Sequence, residues 1–136
     1  MSYGSTAALQ AAVYQHLIAD PAVSTLVGGA IYDALPSGIL PGLYVTLGPE
    51  VVRDRSDKTG GGAVYDFSVS VVTESAGFAA AKGVAAAISD ALVDASLTLS
   101  RGVLVSLHFY RATAARVETG DTRQINLVFR ARVDDV

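Results

Sequence analysis

The sequence predicts an α+β domain whose mostly antiparallel sheet has four or five strands, with two helices packed on one face. Two segments repeat apolar residues at the three-and-four spacing of helices, whereas several later segments alternate apolar and polar residues as strands do. The predicted order is α-β-β-β-α-β-β. Because both helices cover the same side, we expect the other sheet face to be polar or covered by a neighbouring subunit.

The first predicted helix begins near Ser5 or Thr6, whose hydroxyls can cap free N–H groups, and ends at about Ala19. The dipeptide Asp20-Pro21 stops it. Its apolar stripe, which should face the sheet, consists of Leu9, Ala12, Val13, His16 and Leu17.

A further helical turn is predicted over residues 22–27, and Gly28-Gly29 then releases the chain into a short strand around Ile31 and Tyr32. Residues 35–42, LPSGILPG, hold two prolines and two glycines. This composition is typical of an irregular surface connection.

The first long strand is predicted over residues 43–47, continuing to Val52 past a kink at Gly48-Pro49. Its return strand runs from position 64 to about position 74, and the second helix spans about 77–93. Two last strands, joined near residues 118–121, should be antiparallel. The apolar residues expected to share a face within each strand are Tyr65, Phe67, Val69 and Val71, then Val103, Val105, Leu107 and Phe109, then Ile125, Leu127, Phe129 and Ala131.

Residues 53–62, RDRSDKTGGG, are rich in charge and end in three glycines, so they bury too little apolar area to order themselves. We interpret this segment as a flexible hairpin tip. The alternative is an arm that becomes ordered only on contact with a partner ring. The candidate subunit or tube contacts in it are Arg53, Arg55, Asp57, Lys58, Gly60, Gly61 and Gly62.

Arg130 and Arg132 complete the set of candidate interface residues, because alternate residues place them on one polar face of the last strand. One interpretation is a solvated sheet face. The other is that they pair across a subunit boundary with carboxylates such as Asp66 or Asp134. The sequence leaves both interpretations open.

The composition of the chain narrows the range of functions that it can have. The chain of 136 residues fits one domain, and 51% of its residues are hydrophobic while 17% are charged. No run of about 20 apolar residues predicts a membrane span, and the N-terminus lacks the features of a secretory signal. A subunit interface is therefore the expected outlet for the apolar excess. The net charge of −3 disfavours tight sequence-independent DNA binding.

The sequence predicts no enzyme and no catalytic, cofactor or metal site. It has no cysteine, and its two histidines, His16 and His108, lie in no catalytic or metal-binding motif. The glycines of residues 60–62 precede a strand rather than opening a helix, so they do not form a phosphate-binding loop.

Four segments together resemble the tail-terminator, or tail-completion, family of long-tailed phages and gene transfer agents. They are LQAAVYQHLIADPAVSTLVGGAIYDALPSG, LPGLYVTLG, VSVVTESAGFAAAKGVAAAISDAL and INLVFRARV, and the likeness covers nearly the whole chain. The charged segment 53–62 matches this family only as a loop of variable kind.

This resemblance implies a non-enzymatic virion protein at the junction of neck and tail, assembled in the host cytoplasm. It implies a homohexameric ring that binds the major tail tube protein, ends tube growth and docks to the head–tail connector protein. Double-stranded DNA would cross the lumen without specific binding. The alternatives are a neck ring on the portal side and a small α+β ligand-binding domain.

Overall fold

The structure is a computed structural model that describes residues 3–56, 60–117 and 122–135. Along these residues the helices and strands are α1 (Thr6–Ala19), α2 (Pro21–Val27), β1 (Ile31–Tyr32), β2 (Leu43–Asp54), β3 (Gly61–Thr73), α3 (Ala79–Leu92), β4 (Val103–Arg116) and β5 (Arg123–Asp135). None of the helices within these residues is long and apolar enough to cross a membrane.

In the described parts of the chain the strands form one five-stranded sheet in the order β1-β2-β3-β5-β4. The short β1 is parallel to β2, and the other three neighbouring pairs are antiparallel. This arrangement confirms the predicted α+β class and the mostly antiparallel sheet. The described residues contain three helices rather than the predicted two.

The additional helix is α2, where the sequence indicated only a further helical turn. Pro21 is the first residue of α2, and its ring fixes φ near the helical value. The carboxylate of Asp20 accepts a hydrogen bond from the Val23 N–H at 3.0 Å. Gly28, left-handed at φ 60°, ends the helix. These local signals are sufficient to make seven residues helical.

The helices cover one face of the sheet, which we call the helix face. It consists of the odd-numbered residues of β3 and β5, and among them Tyr65, Val69 and Phe129 have no exposed surface. The buried stripes of α1 and α3 pack against it, namely Leu9, Val13 and Leu17 from α1 and Ala81, Val84, Ala85, Ile88 and Leu92 from α3. The period-two alternation predicted for β3 and β5 is confirmed, because a single face of each strand enters the core.

His16 shows how the two long helices are tied together. Its Nε2 lies 2.7 Å from the carbonyl oxygen of Ala91, at the end of α3. The hydrogen bond joins the ring to the backbone of another helix, which agrees with a structural histidine.

The β2–β3 hairpin is longer than predicted. Both strands extend into the segment interpreted as a hairpin tip, since β2 reaches Asp54 and β3 begins at Gly61, with Asp54 opposite Ala63. The backbone and side chain of Ser56 then donate hydrogen bonds to the Asp54 carboxylate. Residues 53–54 and 61–62 of the predicted tip are therefore strand residues with cross-strand partners, and the flexibility of the segment 53–62 stays a prediction.

The kink predicted at Gly48-Pro49 is present as a β-bulge. The register of β2 against β3 shifts between Leu47 and Glu50, so the strand continues past Pro49 without a ladder bond from the proline nitrogen. This shift sets the side of the sheet on which the later residues of β2 lie.

Replacing Ile88 with alanine tests the assignment of the core. Ile88 has no exposed surface between α3 and the sheet, so the Ile88→Ala variant should lose about 2–5 kcal/mol of unfolding free energy in urea titrations. The exposed Asp90→Ala variant on the same helix is the matched control and should change little. Equal effects at both positions would contradict this packing.

Candidate interaction surface

The sheet face opposite the helices, which we call the open face, has no helix packed on it among the described residues. It is formed by the even-numbered residues of β3 and β5, and in β5 all of these are half-buried. The central polar pair on it is Asp66 and Arg130, which lie opposite each other in the β3–β5 ladder. The expectation of a polar second face is met.

Asp66 organises the charges of this face. The Arg130 Nε donates to Oδ1 at 2.8 Å and its Nη2 to Oδ2 at 3.1 Å, while Arg53 lies 3.5 Å away from Oδ2. The hydrogen bonds from Arg130 lower the pKa of Asp66 below its ordinary value, against the opposing effect of burial. On its other side, the Arg130 guanidinium lies 4.0 Å from the ring centroid of Tyr110.

The sequence offered a pairing of Arg130 with Asp66 across a subunit boundary, but this pair lies within one chain. Both carboxylate oxygens of Asp66 are engaged by Arg130 of the same chain. The local reason is the register, which places β3 and β5 side by side with these two residues opposite each other. Arg130 thus forms an ion pair on the open face of its own chain.

Arg132 lies beside this pair and also bonds within the chain. Its Nη2 donates to the carbonyl oxygen of Arg55 at 3.1 Å, and its Nε lies 3.5 Å from Asp134. The Nε is buried and has no hydrogen-bond partner in the described part of the chain, so its contact with Asp134 is an ion pair only. Through Arg132, the end of the β2–β3 hairpin is held against β5.

The structure brings four of the nine predicted interface residues, namely Arg53, Gly62, Arg130 and Arg132, to one end of the open face. Arg53 and Arg130 meet at Asp66, and the backbone of Arg55 meets Arg132. Gly61 and Gly62 lie in β3, opposite Asp135 and Asp134. A Cβ on Gly62 would lie 3.0 Å from the Asp134 carboxylate, so this close approach favours glycine. Gly60 directly precedes β3, and Asp57 and Lys58 fall outside the described residues.

Strand β4 is the part of this surface that the sequence did not single out. It is the outermost strand of the sheet and, apart from the buried Leu107 and the half-buried Leu104, its residues are exposed. The exposed apolar side chains include Val103, Val105, Phe109 and Tyr110. A signal was present in the sequence, because β4 contains no proline, lysine or carboxylate, the residues that usually protect an edge from pairing.

The predicted shared face of β4 is wrong. Its register against β5 shifts between Leu104 and Ser106 and again between Phe109 and Arg111. Val103 is opposite Asp134 on the open face, whereas Leu107 is opposite Ala131 on the helix face. Each bulge reverses the alternation that follows it, so a strict period of two cannot describe this strand.

The cavities do not resemble a binding site for a small molecule. One open groove of about 450 Å³ lies between α1 and residues 96–100, and among its described lining residues only His16 is ionisable. On the open face a trough of about 360 Å³ has Ser70 and Gln124 on its floor, both already bonded to Asn126. Among the described residues, no group of histidines and carboxylates could hold a metal ion.

A domain with its polar network on an open sheet face and its apolar excess on a strand edge belongs to the class of structural interaction proteins. The family model described as "Tail completion protein gp17" matches residues 11–134. The chain therefore belongs to the tail completion protein gp17 family, and it is a structural component of the tail.

A solved structure agrees with this membership. A chain of the structure described as "Virion of native gene transfer agent (GTA) particle" is 64% identical to this chain, with a TM-score of 0.94. The match covers 98% of this chain and 99% of that chain. No curated protein matches the chain. The resemblance inferred from the four sequence segments is confirmed.

The Asp66–Arg130 pair gives a testable pH dependence. Because the pKa of Asp66 is lower in the folded chain, the pair stabilises fully above the ordinary aspartate value of 3.8, and this contribution is lost as pH falls toward the folded pKa. At pH 7 the Asp66→Asn variant should lose about 1–3 kcal/mol in urea unfolding. The difference from wild type should shrink at about pH 3, in contrast to a pH-independent difference, which would refute the assignment.

Proposed function

We propose that this chain is a ring-forming tail terminator at the junction of neck and tail. The ring, a homohexamer, binds the last layer of the major tail tube protein, stops its polymerisation and offers its other side to the head–tail connector. Double-stranded DNA passes through the lumen without specific binding.

The observation that carries this proposal is the edge of β4, beside which the described part of the chain places no further strand. The exposed apolar side chains of Val103 and Val105 need another chain to bury them, because the described helices lie over the helix face. An edge strand with free N–H and C=O groups recruits a further strand readily. A protein that works through such contacts needs no catalytic group.

Termination follows from the asymmetry of such a subunit. A stacking tube subunit has a heterologous contact that adds layers without limit. A ring that matches the tube on one side and presents a different surface on the other ends this growth. Membership of a tail completion family favours the tail end over a neck ring on the portal side.

The low affinity for DNA follows from charge. The net charge is −3, and Arg53, Arg130 and Arg132 each lie near a carboxylate or a carbonyl of the same chain. These three of the ten basic residues are engaged within the chain, which reduces the counterion release on which binding to a phosphate backbone depends. DNA can then move through the ring without being held.

Electron microscopy of the purified protein, alone and mixed with polymerising tail tube protein, tests the role. We expect small rings alone or on tube ends, tubes capped at one end, and a shorter tube length distribution as more protein is added. A protein that stays monomeric at high concentration and leaves tube ends and tube lengths unchanged would contradict the proposal.

A further inference from the structure

Within the described residues, the sheet has two edges that lack an outer strand, and they lie on its opposite sides. Strand β4 forms one edge. On the other side β1 pairs with β2 only at Val45 and Thr46, so residues 47–54 of β2 lack an outer neighbour among the described residues. We propose that β4 of one copy pairs with residues 50–54 of β2 in the next copy, with Arg116 directed at Glu50. This inference rests on the proposed ring and names its subunit contact.

Strand direction supports this pairing. Because the pairs β2–β3, β3–β5 and β5–β4 are all antiparallel, the outer strands β2 and β4 run in opposite directions. Rotation about an axis parallel to the strands leaves the strand directions unchanged in the second copy. Strand β4 of one copy therefore meets β2 of the next in antiparallel orientation. The contact is heterologous, and only a closed ring leaves no such edge unpaired.

The end of β4 is suited to the contact. The two bulges interrupt its first part, whereas the ladder with β5 is regular from Arg111 to Arg116. The residues between these two arginines are Ala112, Thr113, Ala114 and Ala115, all exposed. Their small side chains let another strand approach from the side, and no carboxylate or proline opposes it.

An acidic notch borders the opposite edge, formed by Glu50 and Asp33. The hydroxyls of Tyr3 and Thr6 both donate to Oε1 of Glu50, at 2.8 and 2.6 Å, so Oε2 has no partner among the described residues. Asp33 accepts a hydrogen bond from the Gln10 amide. Both carboxylates line an open cavity of about 370 Å³. A positioned carboxylate with a free oxygen is a receptor for a guanidinium.

The side-chain faces agree with one register. Arg116 and Ala114 of β4 lie opposite Arg123 and Ile125, on the helix face. Glu50 lies opposite Phe67 and so shares that face. With Arg116 opposite Glu50 in an antiparallel ladder, Ala114 falls opposite Val52 on the helix face. Ala115 then falls opposite Val51 on the open face, where Val51 is 62% exposed and would be covered.

Cysteine cross-linking tests the register in a chain that has no cysteine of its own. The double variant Val51→Cys with Ala115→Cys places one thiol on each edge and on the same face. After mild oxidation in the presence of tail tubes, we expect a ladder of cross-linked copies on a non-reducing gel, lost on reduction. The matched control, Val51→Cys with Ala114→Cys, has its thiols on opposite faces and should form no ladder.

A charge exchange tests the arginine contact. Arg116→Glu or Glu50→Arg alone should weaken ring assembly about tenfold or more, and the double variant should restore it. The exposed Asp90→Arg variant is the control for an altered net charge, and circular dichroism checks that each variant is folded. Failure of the double variant to recover, while Asp90→Arg assembles normally and all variants are folded, would overturn the arginine contact.

The outcomes separate this contact from the proposed function. The edge pairing is overturned, and the terminator role is left intact, if rings or capped tubes appear in the micrographs but the expected ladder does not. Equal ladders in both double variants have the same meaning. Absence of both rings and capped tubes with the unmodified chain overturns both.

Discussion

A β-sheet has two faces and two edges, and the described helices of this chain bury only one of the faces. The rest of the structure depends on this limit. Hydrophobic burial on the helix face is centred on Tyr65 and Phe129, which have no exposed surface, and it holds α1 and α3 in place. The other face and the edges must then be stabilised by polar groups or by other chains. The polar open face, the apolar β4 edge and the proposed ring follow from this limit.

An ion pair within the chain stabilises the open face, which no described helix covers. Asp66 lies on the central strand with 13% of its side chain exposed, and a lone carboxylate there would be unfavourable. Two hydrogen bonds from Arg130 compensate, and Tyr110 covers the guanidinium from the adjacent strand. This closed network leaves the centre of the face polar with its charges paired, so the apolar edge of β4 is the feature that most needs a partner.

Sequence reasoning worked where one local period governs an element. The alternation of β3 and β5 predicted the correct faces, because each strand enters the core on one side only. It failed where long-range pairing decides. The bulges near Val105 and Tyr110 reverse the pattern of β4, and Gly61 and Gly62 become strand residues because β5 lies beside them. The Asp66–Arg130 pair was predicted as a possible partnership, but the β3–β5 register that places it within one chain is not visible in either segment alone.

Hydrogen exchange measured on the free protein and on the protein bound to tail tubes tests the central claim most directly, since unpaired edge amides exchange quickly with water. We expect the amides of residues 111–116 and 50–54 to gain protection on assembly, while those of α3, which is already buried, change little. Unchanged exchange in both strands, with new protection confined to the outer surfaces of the helices, would contradict the claim that assembly completes this sheet.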